Sequence, residues 1–112
     1  MARLIWSPSA IGDLADICAY IGRDSEYYAR LFAQRVVAAT EALVQFPEIG
    51  RIVPEFGRHD LRELLFQKYR IVYRVKRDEV QIAAVVHGAR LLADIEEPEE
   101  PSATSDKPRS AE

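Results

Sequence analysis

The chain has one cysteine, no apolar run long enough to cross a membrane and no internal repeat. With Cys18 alone an intrachain disulfide is impossible, so a reducing compartment is the natural setting. No stretch approaches the ~18 consecutive apolar residues of a spanning helix. Met-Ala-Arg-Leu-Ile-Trp lacks the apolar core of a secretion signal. A cytoplasmic protein without membrane contact is therefore expected, with no metal and no cofactor. Cys18 shares a helical apolar face with Ile11, Leu14, Ala15 and Ile21, which marks it as a structural thiol rather than a nucleophile.

What is present is ordinary in amount and uneven in placement. The 112 residues suffice for one domain with its own core, and 48% of them are hydrophobic. The net charge is −3. Residues 1–93 carry 13 Lys and Arg against 11 Asp and Glu, giving +2, whereas residues 94–112 carry 2 against 7, giving −5. The expected division is a folded domain over 1–93 and an acidic tail over 94–112, whose Pro, Ser and Glu content predicts disorder.

Along the domain, Ala2 to Trp6 reads as a short strand. Ser7 is placed to cap a helix and Pro8 suits its first turn. That helix runs to about Gly22, with Asp13, Asp16 and Arg23 expected to face away from its apolar stripe. A second helix begins after Asp24 or Ser25, carries Phe32, Val36, Ala39 and Leu43 on one side, and is ended by Pro47. Phe46 to Asp60, punctuated by Pro47, Gly50, Pro54 and Gly57, reads as a loop without regular structure. It carries Arg51, Glu55, Arg58 and His59, and is a candidate recognition surface.

From Leu61 to Leu92 the pattern gives three extended segments. In Tyr69 to Lys76, Tyr69, Ile71, Tyr73 and Val75 point one way, and Arg70, Val72, Arg74 and Lys76 the other. Val80 to His87 is apolar on both sides and belongs inside the sheet, whereas the preceding strand is expected to show its charge to solvent or to a partner. Between Gly50 and Arg77 eight basic residues face three acidic ones, a local charge of +5 that suits an anionic partner.

The residues carry a resemblance over about 2–92. Trp6-Ser7-Pro8 with Ala10, Asp13-Leu14, Ile17 and Tyr20-Ile21, then Phe46-Pro47 with Gly50-Arg51, Arg62-Glu63-Leu64, Tyr69-Arg70-Ile71-Val72-Tyr73-Arg74-Val75 and His87-Gly88-Ala89-Arg90, resemble the ParE/RelE superfamily of bacterial type II toxins. The resemblance implies an α+β fold: an N-terminal strand, an α-helical hairpin, then antiparallel strands in a small sheet packed on the helices. It also implies plasmid stabilisation or a related toxin–antitoxin role, and a cognate ParD-like antitoxin. That antitoxin is expected to lay an amphipathic helix in a groove, with acidic residues on the basic strands, in a hetero-oligomer.

Two mechanisms occur in the superfamily. RelE-like members cleave mRNA on the ribosome through the transcript's own 2′-hydroxyl, which needs a base, an acid and cations for the phosphate. ParE-like members impair DNA gyrase without nuclease chemistry. On the first reading the resemblance assigns Arg70 and Arg90 to phosphate, and His87 and Glu55 to proton transfer. On the second no catalytic residue is expected, and Arg62, Arg70, Arg74 and Arg90 form the electropositive partner surface. Leu64 stands where RelE-like nucleases carry a second lysine, and their tyrosine beyond the last strand is absent, so the sequence is closer to ParE. The sequence pI near 5.4 also fits poorly with binding ribosomal RNA, although most of the negative charge lies in the tail. A third reading is a decayed toxin that retains only antitoxin binding.

Overall fold

A computed structural model describes residues 2–89. Strand β1 (Arg3–Trp6) leads into helices α1 (Pro8–Gly22) and α2 (Glu26–Glu41), and a 3₁₀ turn (Ala42–Val44) finishes the helical hairpin. Strands β2 (Arg51–Ile52), β3 (Leu61–Phe66), β4 (Tyr69–Val75) and β5 (Glu79–His87) follow. The five strands form one sheet in the order β1-β5-β4-β3-β2. β1 is parallel to β5, and every other pairing is antiparallel. The expected architecture is present; the connection between the parallel pair runs through the helical hairpin and then β2, β3 and β4. Arg90 and the acidic tail lie outside the described residues.

The caps are those the sequence offers. Ser7 Oγ accepts from the Ala10 amide at 3.0 Å with Pro8 in the first turn, and Ser25 Oγ accepts from the Tyr28 amide at 3.1 Å. Each satisfies an amide that the helix itself leaves without a partner. In α2, Phe32 and Val36 are buried and Ala39 is half-buried, and Leu43 in the 3₁₀ turn is buried too, as the stripe predicts.

α1 is rotated from the expected setting. Ala10, Leu14, Ile17, Cys18 and Ile21 pack on the core, whereas Ile11 is 56% exposed and Ala15 is exposed. Asp13 is correspondingly half-buried rather than turned away, and its Oδ2 accepts from the Val85 amide at 2.9 Å. The reason lies in β5. Its register against β4 jumps from Val72↔Ala84 to Tyr73↔Ile82, leaving Ala83 as a bulge. α1 supplies the polar groups beside the bulge: Ser7 Oγ donates to the Ala83 carbonyl at 3.2 Å, and Asp13 takes the Val85 amide. A buried amide left without an acceptor costs about 1–3 kcal/mol, comparable to what burying one isoleucine contributes, and this setting adds the Ser7 contact and packs Ile17 on the core.

The helix-facing side of the sheet holds the larger core. Ile71, Tyr73, Val80, Ile82 and Val85 lie against Ala10, Phe32, Val36 and Leu43. Fully burying an aliphatic side chain of this size contributes roughly 1.5–3 kcal/mol. The other side carries a smaller cluster, Val53, Leu61, Val72 and Val86, with Phe56 against it. Val53 and Phe56 come from the loop expected to be irregular. That loop instead contributes β2 and folds over the outer side of the sheet. β4 consequently does not present its charge to solvent: Arg70 is 5% exposed and the Arg74 side chain 14%.

Candidate partner-binding surface

Strand pleat decides which basic residues meet. β4 pairs Arg70 with Leu65 and Val86, and Arg74 with Leu61 and Gln81, so both arginines lie on the outer side with Val72. Arg62 pairs with Tyr73 and lies on the helix side. The three described members of the expected electropositive surface therefore do not share one face.

Arg70 sits in an alternating chain of charge. Its Nε donates to Glu63 Oε1 at 2.6 Å, and Nη1 and Nη2 donate to the two oxygens of Glu55 at 2.9 and 2.7 Å. Arg51 Nε donates to the other oxygen of Glu63, whose side chain is fully buried. Each element contributes one charge: Arg51 on β2, Glu63 on β3, Arg70 on β4, Glu55 on the covering loop. Hydrogen bonding to Glu55, working against burial and aided by Glu63, holds the Arg70 guanidinium well above its ordinary pKa. A forked guanidinium between two carboxylates is how a buried charge becomes tolerable, and it ties the loop to the sheet. Neighbouring Arg58 and Arg74 converge on Asp60, at 2.8 and 3.8 Å. Burial works against the Asp60 carboxylate, but the Arg58 hydrogen bonds and the two positive charges hold it below the usual range.

Arg62 is committed to backbone. It donates to the carbonyls of His59 and Gly50, both at 3.0 Å, and of Glu48 at 3.4 Å. Tyr73 works beside it, accepting from the Gly50 amide at 3.0 Å and donating to the Pro47 carbonyl at 2.7 Å. Together they fix the turn from which β2 departs.

His87 is exposed and lies on the helix side, paired with Tyr69. Its Nδ1 accepts from the Ala89 amide at 3.1 Å, and its ring meets Tyr69 edge to face at 5.9 Å. Glu55 and Arg70 lie on the opposite side of the sheet. The residues that would have to share one phosphate are thus divided by the sheet itself, with Arg90 outside the described residues.

Comparison with known proteins agrees with this architecture. Residues 4–92 match the family described as ParE toxin of type II toxin–antitoxin system, parDE. The chain belongs to the ParE toxin family. It is 37% identical over 92 residues to "Toxin RelE2" of Caulobacter vibrioides, covering 81% of this chain and 100% of that protein. It is 36% identical over 88 residues to "Putative toxin Y4kP" of Sinorhizobium fredii, covering 76% and 86% respectively. Among solved structures, a chain of "Chromosomal ParDE TA system from P. aeruginosa" superposes with a TM-score of 0.65 at 26% identity, over 78% of this chain and 96% of that one. A ParE-family toxin of a type II system has an antitoxin partner, and the surface available to partners can be read on this member.

Its exposed apolar residues gather on the helical hairpin and the loop after it. Tyr20, Tyr27 and Tyr28 are each more than 60% exposed around the α1–α2 turn, with the Arg23 guanidinium 5.1 Å from the Tyr20 ring centre. Phe46 and Ile49 are exposed beyond the 3₁₀ turn, and Leu65 on the outer side of β3. Ile21, Tyr28, Leu31, Phe32, Arg35 and Gln67 line a cavity of about 310 Å³ between the hairpin and the β3–β4 turn. Aromatic and arginine side chains of this kind are those that carry protein interfaces. Sequence reasoning passed over Glu63, whose one signal was an acid at an inward position of the apolar strand Leu61–Phe66. Among the described residues no helix is long and apolar enough to cross a membrane.

Proposed function

We propose that this ParE-family toxin acts by binding DNA gyrase, with no bond-making or bond-breaking of its own, and that a ParD-like antitoxin neutralises it. The observation that carries this reading is the separation of His87 from Glu55 and Arg70 by the sheet. Proton transfer needs acid and base within hydrogen-bond reach of one substrate. Here Glu55 is engaged by both terminal nitrogens of Arg70, while His87 bonds a backbone amide on the other side. In this reading Arg62, Arg70 and Arg74 shape the surface, and the exposed tyrosines and loop residues make the contact.

A ribosome-dependent mRNA endonuclease is the competing mechanism, favoured by the name of the 37% identical relative, "Toxin RelE2". The combined substitution Glu55→Gln and His87→Asn separates the two, with circular dichroism to verify folding. A gyrase-binding toxin retains growth arrest on induction. A nuclease that relies on this pair loses it while remaining folded, and that result would overturn the proposal.

A further inference from the structure

Phe46 and Ile49 stand between the 3₁₀ turn and β2 with 59% and 55% of their surface exposed. Single exposed apolar side chains are common, and two on a loose loop would mean little. This loop is held at almost every backbone group. The Phe46 amide donates to the Ala42 carbonyl at 3.0 Å, and the Phe46 carbonyl accepts from the Ile49 amide at 3.2 Å. Tyr73 Oη donates to the Pro47 carbonyl at 2.7 Å and accepts from the Gly50 amide at 3.0 Å. Arg62 donates to the carbonyls of Glu48 and Gly50 at 3.4 and 3.0 Å. Gly50 adds a close fit, because a Cβ there would stand 2.6 Å from the Glu63 carbonyl oxygen and from Tyr73 Oη.

The arrangement inverts ordinary packing. A fully buried tyrosine and an arginine from the sheet fix the loop's backbone, while the loop's two large apolar side chains remain in water. A backbone fixed before association loses little freedom on binding, and this is what allows one or two side chains to serve as anchors in a partner's pocket.

Charge narrows the choice of partner. Residues 41–50 carry Glu41 and Glu48, both exposed, and no cation, a net charge of −2. Nearby Arg51 and Arg62 are directed to Glu63 and to backbone carbonyls. Residues 20–35, around the exposed tyrosines, carry Arg23, Arg30 and Arg35 against Asp24 and Glu26, a net charge of +1. An acidic antitoxin suits the second surface and is repelled by the first.

We propose that Phe46 and Ile49 are the anchors by which the toxin grips its target, entering an apolar pocket with a basic rim that meets Glu41 and Glu48. This rests on the reading above that toxicity is exerted by binding DNA gyrase, and it separates the target-gripping loop from the antitoxin surface.

The test combines Phe46→Ser and Ile49→Ser in the full chain, with circular dichroism to verify the fold, and compares it with wild type for inhibition of gyrase supercoiling and for affinity toward the co-encoded antitoxin. The concentration needed to inhibit gyrase should rise by at least about tenfold, and antitoxin affinity should change by less than about twofold. Inhibition equal to wild type would overturn the proposal, and so would an equal loss of antitoxin affinity, which would assign the loop to the antitoxin. Gyrase untouched by wild type would be a failure of the gyrase reading instead. Growth arrest on induction then decides, and its persistence in the double variant would refute the anchors whatever the target. Arg62→Met keeps both anchors and removes the bonds that hold the loop, so it should weaken inhibition while the protein remains folded; unchanged inhibition would refute the role given to the fixed backbone.

Discussion

Replacing Arg70 by methionine removes the centre of the charge chain while roughly preserving its volume. Three hydrogen bonds to two carboxylates are lost. Glu55 can turn toward water, since its side chain is already 15% exposed; Glu63, with none of its side chain exposed, cannot. Removing one partner of a buried pair costs about 3–5 kcal/mol because the remaining charge is left in the interior. Arg51 still holds the other oxygen of Glu63, which places the expected loss near ~3 kcal/mol. At roughly 4 °C per kcal/mol for a domain of this size, the melting temperature should fall by about 12 °C. The assay is thermal unfolding by circular dichroism, repeated for Glu63→Leu and for the two substitutions together. Once both charges are absent nothing is stranded, so the pair should couple by about 1–3 kcal/mol. A fall below ~4 °C, or strict additivity, would refute the reasoning and leave Arg70 as a residue kept for contact with a partner.

Three further outcomes follow from the same contacts. Tyr73→Phe strands the Gly50 amide and the Pro47 carbonyl and should cost about 1–3 kcal/mol by urea denaturation at neutral pH. Burial raises the Tyr73 pKa, so its phenol stabilises the fold fully below the unfolded value near ~10 and progressively less as pH rises through the folded one; the difference between wild type and Tyr73→Phe should therefore narrow above about pH 10. Asp13→Ala leaves the Val85 amide without its acceptor and should cost about 1–3 kcal/mol, whereas Asp13→Asn keeps an acceptor and should cost less; equal losses in the two variants would contradict the role given to Asp13. Gly50→Ala sets a new carbon 2.6 Å from both the Glu63 carbonyl oxygen and Tyr73 Oη, so a loss of about 1–3 kcal/mol is expected, and a neutral effect would mean that the turn can move.

Much of the fold was legible because its signals are local. Ser7-Pro8 and Ser25 act through amides three residues on, and the alternation in Tyr69–Val75 is a property of the strand alone. The α1 setting was not legible, since it depends on a bulge at Ala83, 70 residues beyond Asp13 in the sequence. Helical periodicity counts apolar residues and has no means of weighing one buried amide against Ile11. The pairing of the basic strand residues was hidden for a related reason. Arg70 and Arg74 read as a basic face because strand alternation locates a charge without its partners. Glu55 and Asp60 lie in a loop whose path across the sheet is set by Val53 and Phe56 finding Leu61, Val72 and Val86. Arg62 was grouped with them although the β3–β4 register puts it on the other side. The family resemblance was legible throughout, because it rests on residue identities rather than on where they point.

The most direct test of the proposed mechanism pairs two assays on the purified, antitoxin-free toxin. One follows DNA supercoiling and cleavage by gyrase, and the other scores mRNA integrity in a translating extract. Loss of supercoiling with accumulation of cleaved DNA, and intact mRNA, is the expected result. Full gyrase activity with mRNA cut at ribosomes would contradict it, and would require His87, Glu55 and Arg70 to meet in a form of the protein other than the one described.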